Sequence, residues 1–329
     1  MPFETALTKA LGIRVPVVQG GMQWVGYAEM ASAVSNAGGL GILTSLTQPT
    51  PADLRKEIQK TRRMTSKPFG VNLTVLPTLS PPPYGEYAQV IIDEGIKIVE
   101  TAGLVKDYVA KFKAAGCTVL HKCTTIRHSL SAVKMGVDFI SIDGFECAGH
   151  VGEHDIPNFV LLNRAKEQLR KPNGDPVPYI ASGGMANGSS LAAALSLGAC
   201  GINMGTRFMA TVEAPIHHNI KQSIVNATED DTDLLMRRWT NTARFFRNTV
   251  TQAAAKVEKE STSGKFEEIA DYVFLNGDPD YGVWTAGICI GLIHDIPTCD
   301  ELLKRIETEA RDAVMEQASL FKEDSKAKL

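Results

Sequence analysis

The sequence predicts an α/β protein, a (β/α)8 TIM barrel with a helical lid inserted after its eighth strand, and three observations carry that expectation. Eight short apolar or β-branched runs succeed one another over the first two thirds of the 329 residues. Each leads into a longer stretch of helical periodicity, and strand, helix and parallel strand in series close most simply into a barrel. The glycine pattern of an open dinucleotide-binding sheet, G-x-G-x-x-G after the first strand, is absent: Gly20 and Gly21 are adjacent and no third glycine has the right spacing.

The strand candidates are residues 15–19, 41–45, 69–75, 96–101, 118–123, 139–143, 179–182 and 201–204. Several are almost continuously apolar, which suits strands buried on both faces of a parallel sheet. Helical segments lie between them, at 27–36, 51–64, 105–115, 125–135 and 189–197. Pro51 and Asp53 mark one helix start, and Gly38, Gly116, Gly136 and Gly198 follow helix ends. After the eighth strand the pattern changes, and residues 214–279 read as several helices without strand partners, among them 216–227 and 249–260. Two more helices, 283–293 and 299–321, complete the barrel wall. The expected domains are 1–213 with 280–329 as the barrel, and 214–279 as a helical lid that meets substrate.

Composition excludes other classes. With 44% hydrophobic and 22% charged residues and a net charge of −3, the chain is neither a disordered segment nor a basic nucleic-acid binder. The longest uncharged run near the end, 283–293, falls short of the ~20 residues that span a bilayer. The N-terminus lacks a charged segment followed by an apolar one, so a cytoplasmic protein is expected, with no nucleic-acid or membrane partner. Ala327, Lys328 and Leu329 are a conservative variant of the peroxisomal S-K-L address, which would be read only in a eukaryotic cell. Cys117, Cys123, Cys147, Cys200, Cys289 and Cys299 form no CxxC pair, so they read as reduced thiols and no metal site is expected.

Barrel enzymes carry their chemistry at the C-terminal ends of strands. The seventh strand ends in Ser182, Gly183 and Gly184, the eighth in Met204, Gly205 and Thr206. Glycine lets backbone N–H groups approach a phosphate closely, Ser and Thr add hydroxyls, and the loops after these two strands form the recurrent barrel phosphate site. Asn72 and Thr74 end the third strand, Lys122 the fifth and Asp143 the sixth. A Lys and an Asp at neighbouring strand ends either pair to close the barrel top or face a polar cofactor. His150 follows among small residues, where an imidazole could orient an anionic substrate or take a proton. His154, His217 and His218 have no carboxylate spacing beside them that suggests a metal.

Six stretches together, QGGMQWVG (19–26), FGVNLT (69–74), SIDGFECAGH (141–150), ASGG (181–184), NMGTR (203–207) and NTARFFRN (241–248), resemble the nitronate monooxygenases, formerly 2-nitropropane dioxygenases, and their relatives the NADH:quinone reductases. The resemblance runs in order over residues 15–293. It implies an FMN-containing barrel with its phosphate at Ser182, Gly183, Gly184, Met204, Gly205 and Thr206. The ring and ribityl chain would fall near Gly21, Met22, Gln23, Asn72, Lys122, Asp143 and Ala148, with His150 on the substrate side as the catalytic residue. The protein's task would be to bind the flavin, hold substrate over it and limit access.

Donor and acceptor stay open at this point. The wording of 19–26 and 241–248, and the proline cluster Pro77, Pro81, Pro82 and Pro83, are similar to the reductase branch, which uses NAD(P)H and a quinone. Phe245, Phe246, Met185, Asn187, His154 and Asn158 depart from that branch. The expectation leans to oxidation of alkyl nitronates by O2 to a carbonyl compound and nitrite. The alternatives are quinone reduction and, from a third class, a flavin-free barrel lyase whose Lys122 forms a Schiff base with a phosphorylated substrate.

Overall fold

The computed structural model describes residues 3–76, 81–260, 278–280 and 282–321. Its strands are β1 (Val17–Gln19), β2 (Gly41–Thr44), β3 (Phe69–Val75), β4 (Ile98–Gly103), β5 (Thr118–Cys123), β6 (Phe139–Asp143), β7 (Gly149–His150), β8 (Tyr179–Ser182), β9 (Ile202–Met204), β10 (Thr232–Leu235) and β11 (Ala243–Phe246). Eight of them pair in parallel in the order β1-β9-β8-β6-β5-β4-β3-β2. The ring closes because Leu40, just before β2, exchanges backbone hydrogen bonds with β1: Gln19 N donates to Leu40 O, and Leu40 N to Val17 O, both at 2.9 Å. The chain is the expected (β/α)8 barrel.

The helices are α1 (Ala6–Leu11), α2 (Ala28–Asn36), α3 (Pro51–Met64), α4 (Tyr84–Asp93), α5 (Lys106–Ala114), α6 (Ile126–Met135), α7 (Asn158–Gln168), α8 (Gly188–Ser196), α9 (Thr206–Met209), α10 (His218–Asn226), α11 (Thr249–Glu260) and α12 (Cys299–Ser319). Their starts follow from side-chain caps. Thr50 Oγ1 accepts from Asp53 N at 3.1 Å before α3, Asn187 Oδ1 from Ser190 N at 2.9 Å before α8, and Thr298 with Glu301 makes a reciprocal capping box on α12. Gly136, with φ 86°, ends α6 in the left-handed region.

Two apolar cores result. The larger lies between the outer strand faces and the helices. The smaller fills the inside of the barrel: Val18, Leu40, Ile42, Ile98, Leu120, Phe139 and Ile180 pack on Leu7 and Leu11 of α1, which plugs the N-terminal end. Each fully buried aliphatic side chain there contributes roughly 1.5–3 kcal/mol. Because side chains alternate along a strand, the next inward positions are Thr44 after Ile42, Glu100 after Ile98, Lys122 after Leu120 and Ser182 after Ile180. The barrel interior is therefore apolar below and polar at the C-terminal end.

Two expectations are corrected. The segment after β9 is not purely helical: β10 and β11 form an antiparallel hairpin, and β11 pairs with β7, Ala243 opposite His150. Strands of four and two residues are too short to show a period of two, and β7 lies among small residues that read as a loop. Residues 283–293 are extended, with only a 3-10 turn at Ile288–Leu292, because Gly282, Gly287 and Gly291 break the helical pattern. Residues 77–80, which include Pro77 of the proline cluster, residues 261–277 of the expected lid, and the terminal Ala327, Lys328 and Leu329 lie outside the described residues. No helix among the described residues is long and apolar enough to cross a membrane.

Candidate active site

The C-terminal mouth of the barrel holds a cavity of about 500 Å³. Of the residues singled out from the sequence, Gly21, Met22, Gln23, Asn72, Lys122, Ala148, His150, Ser182, Gly183, Gly184, Met204, Gly205 and Thr206 line it. Asp143 does not. Its carboxylate stands behind Lys122, with Oδ2 3.7 Å from Nζ. Asp143 is the inward residue at the end of β6, and the lysine side chain from β5 covers it.

One wall is a cradle of backbone donors. Gly183 and Gly184 have φ of 84° and 76°, a left-handed pair that L side chains rarely adopt. A Cβ on Gly183 would stand 2.8 Å from the backbone nitrogen of Cys147, so this position also needs the missing side chain. Among the described residues, no acceptor takes the N–H groups of Gly183, Gly184, Gly205 or Thr206. Asn158, at the start of α7, donates from Nδ2 to Ser182 O at 2.7 Å and Gly183 O at 2.6 Å, which satisfies those two carbonyls away from the cavity. Successive free N–H groups at a glycine turn make an anion site.

The floor is a charged network. Glu100 is fully buried and accepts from Gly21 N at 2.8 Å, Asn72 Nδ2 at 2.8 Å and Asn203 Nδ2 at 2.9 Å. Asn203 also donates to Ser141 Oγ at 3.2 Å. Burial alone would lower the pKa of Lys122, but the carboxylates of Asp143 and Glu100 outweigh it and the net shift is upward. Burial raises that of Asp143, which Lys122 opposes and Glu100 reinforces. Both directions agree with an ammonium paired to Asp143 at 3.7 Å and lying in the field of the Glu100 carboxylate.

The roof is aromatic and apolar. Trp24, Leu46, Leu76, Tyr84, Met185, Phe245 and Trp284 face the cavity. Trp24 has φ 62°, an uncommon backbone conformation for a bulky residue, where the chain leaves β1. Trp284 is fully buried and stacks on Phe246 with ring centroids 4.1 Å apart. His150 stands at the rim on β7, beside the β10–β11 hairpin. Its crowded surroundings lower its pKa, against a hydrogen bond that the ring donates to Asn241 and the charge of Glu153.

Arg244 ties the hairpin down. It is buried, donates to Cys147 O at 3.2 Å, Phe145 O at 2.9 Å and Thr232 Oγ1 at 3.1 Å, and lies 4.6 Å over the Phe145 ring. Glu153 accepts from Thr242 N at 2.9 Å and Oγ1 at 2.5 Å. Sequence reasoning missed Glu100, Asn203, Asn158 and Arg244. The signal for Glu100 was a lone acid inside an apolar strand run; Asn158 and Arg244 gave none of that kind.

A closed parallel barrel with a glycine cradle of free backbone donors, a polar floor and an apolar mouth is the architecture of a cofactor-dependent barrel enzyme. The nitronate monooxygenase family model matches residues 4–309, and the chain belongs to that family. It is an oxidoreductase. Among curated relatives, it is 30% identical to the Mycobacterium tuberculosis (3aS,4S,5R,7aS)-5-hydroxy-7a-methyl-1-oxo-octahydro-1H-indene-4-carboxyl-CoA dehydrogenase, over 94% of this chain and 97% of that one. It is 27% identical to a nitronate monooxygenase of Paraburkholderia phytofirmans, over 94% and 96%. Among solved structures, FabK from Thermotoga maritima superposes with a TM-score of 0.87 at 31% identity, covering 97% of this chain and all 100% of that one. A nitroalkane oxidase of Streptomyces ansochromogenes shares the fold, with a TM-score of 0.79 at 22% identity over 95% of this chain and 100% of that one.

Proposed function

We propose that the chain binds FMN and oxidises alkyl nitronates with O2 to a carbonyl compound and nitrite. The observation that carries the cofactor is the set of unpaired N–H groups at Gly183, Gly184, Gly205 and Thr206, beside Ser182 and Met204, where a phosphate would sit. Gly21, Met22, Gln23, Asn72, Lys122 and Ala148 would then meet the ribityl chain and ring, with Asp143 acting through Lys122. Flavin, when bound, supplies the redox chemistry. The chain's own work is to hold it, to keep water off with the aromatic roof, and to receive the substrate. His150, at the rim, donates a hydrogen bond to a nitronate oxygen or takes a proton from a nitroalkane. Residues 214–279 would cover the substrate as a lid.

A second reading is NAD(P)H:quinone reduction, favoured by the flat surfaces of Trp24, Tyr84 and Phe245 around the mouth, which suit a planar ring. The lyase reading has less behind it, because a Schiff-base lysine must be available as the free amine and the ion pair of Lys122 with Asp143 at 3.7 Å favours the ammonium.

The test begins with the visible spectrum of the purified protein, which should be that of bound flavin. Propionate 3-nitronate under air should then yield nitrite with oxygen uptake. Absence of nitrite, together with flavin bleaching by NADH and its recovery with a benzoquinone, would transfer the assignment to the reductase. A carboxyl-CoA thioester, the substrate class in the mycobacterial relative's name, belongs in the same panel.

A further inference from the structure

The pocket floor contains a carboxylate that does not line the mouth cavity and, among the described residues, forms no ion pair, yet is fully buried. Glu100 sits inward on β4, and its two oxygens bind three elements at once. Oε2 takes Gly21 N–H after β1 and the Asn72 amide on β3, while Oε1 takes the Asn203 amide on β9. A buried carboxylate costs several kcal/mol unless its lone pairs are used, and here three donors use them.

The chemistry of this carboxylate fixes what its neighbours present. A carboxylate only accepts, so the amide of Asn72 must turn Nδ2 toward Glu100. Its Oδ1 is then on the other side, where it takes Thr74 Oγ1–H at 3.1 Å and keeps a further lone pair. Asn72 and Thr74 both line the cavity. The same arrangement explains the adjacent glycines. A Cβ on Gly21 would meet Asn72 Cβ and Cγ at 2.5 Å, and one on Gly20 would meet Asn203 Oδ1 at 2.5 Å. Both asparagines are pinned by Glu100 and cannot yield.

We propose that Glu100 is a positioning residue that locks Asn72 with an acceptor toward the cavity, and so selects the flavin ring through its single imide N–H. This rests on the FMN reading above and deepens it. A flipped Asn72 would set its carbonyl against the Glu100 carboxylate and offer the cavity a donor, which the imide edge, carrying carbonyls on both sides of that N–H, would meet in the wrong register.

The experiment compares FMN with FMN methylated at the imide nitrogen, by fluorescence quenching on the apoprotein. The wild-type chain should prefer FMN by about tenfold or more, the scale of a buried hydrogen bond lost with its partner left unpaired. Glu100→Gln, which keeps the shape and removes the obligatory acceptor, should bring that ratio close to one, whereas a merely structural loss would weaken both ligands alike and leave the ratio unchanged. A retained ratio in Glu100→Gln overturns the proposal. Thr74→Val keeps the carboxylate and removes only the hydroxyl, so it should retain the preference. Loss of preference there would assign the orientation to Thr74 and equally overturn the proposal, even if Glu100→Gln fails to fold. A wild-type chain that binds neither flavin would sink the FMN reading itself, which the ratio test distinguishes from failure of Glu100 alone.

Discussion

The floor and the rim of the mouth are built on opposite principles. The floor hangs on rigid strand ends, and its polar atoms are locked by one another: Glu100 by three donors, Lys122 by Asp143. The rim rests on a short three-stranded sheet, held to the barrel by Arg244, by Glu153 and by the stack of Phe246 on Trp284. Buried charges in the floor make it intolerant of any single change. The rim is attached by a few hydrogen bonds, of which the Asp155 to Arg237 pair at 2.8 Å is solvent-exposed and adds little.

That contrast can be broken most severely at Lys122. Lys122→Met leaves the buried Asp143 carboxylate without its cation, and should cost about 3 kcal/mol of stability along with bound flavin. Urea unfolding and the visible spectrum of the variant report both. A loss below about 1 kcal/mol would mean that water already solvates the pair.

The outer face of the same strand gives the next effect, through pH. His121 is buried against the helices, its Nδ1 is 2.9 Å from Thr101 Oγ1, and burial first, then His128, pushes its pKa down to about 4, with Glu100 opposing. The folded state resists protonating it, whereas the unfolded chain protonates it near pH 6.5. Its contribution is therefore full above pH 6.5 and is lost as pH falls toward 4, in total about 3 kcal/mol. His121→Gln should flatten that part of the stability profile between pH 7 and pH 4.5. An unchanged slope would place the acid sensitivity elsewhere.

Within the cradle, Gly183→Ala combines a positive φ with a Cβ 2.8 Å from Cys147 N. A cost of about 1–3 kcal/mol and a sharp fall in flavin affinity are expected, read by titration of the apoprotein with FMN. The rim should respond differently. His150→Asn should lower nitronate turnover about tenfold while flavin stays bound. An unchanged rate would remove His150 from the chemistry. Smallest of all, Glu153→Gln should loosen the hairpin by about 1 kcal/mol, visible as faster proteolysis near residues 236–242 with the melting of the barrel nearly unmoved.

The sequence was legible where one strand or one turn carries the information. The runs 69–75 and 118–123 became β3 and β5 with the same bounds, and 51–64 became α3, because apolar runs, Pro51 and the Thr50 cap act locally. The glycines of the cradle announced themselves for the same reason: a left-handed turn needs glycine wherever it occurs. Asn72 and Lys122 could be placed at strand ends once the strands were counted.

Other features depend on which elements meet. Strands β10 and β11 exist because they pair with each other and β11 with β7, nearly a hundred residues earlier, and four residues carry no period that would reveal this. Asp143 reads as a pocket residue until Lys122 is seen to lie over it. Glu100 is one acid in the run IVETAG, and only barrel closure brings Gly21, Asn72 and Asn203 to its two oxygens. The barrel, the glycines of the cradle and the residue types at the strand ends can be read from the chain alone, since they follow from alternation and backbone freedom. The tertiary structure alone decided which buried charges compensate one another and which way the asparagines turn, because a hydrogen bond across the barrel depends on distances that no local pattern encodes.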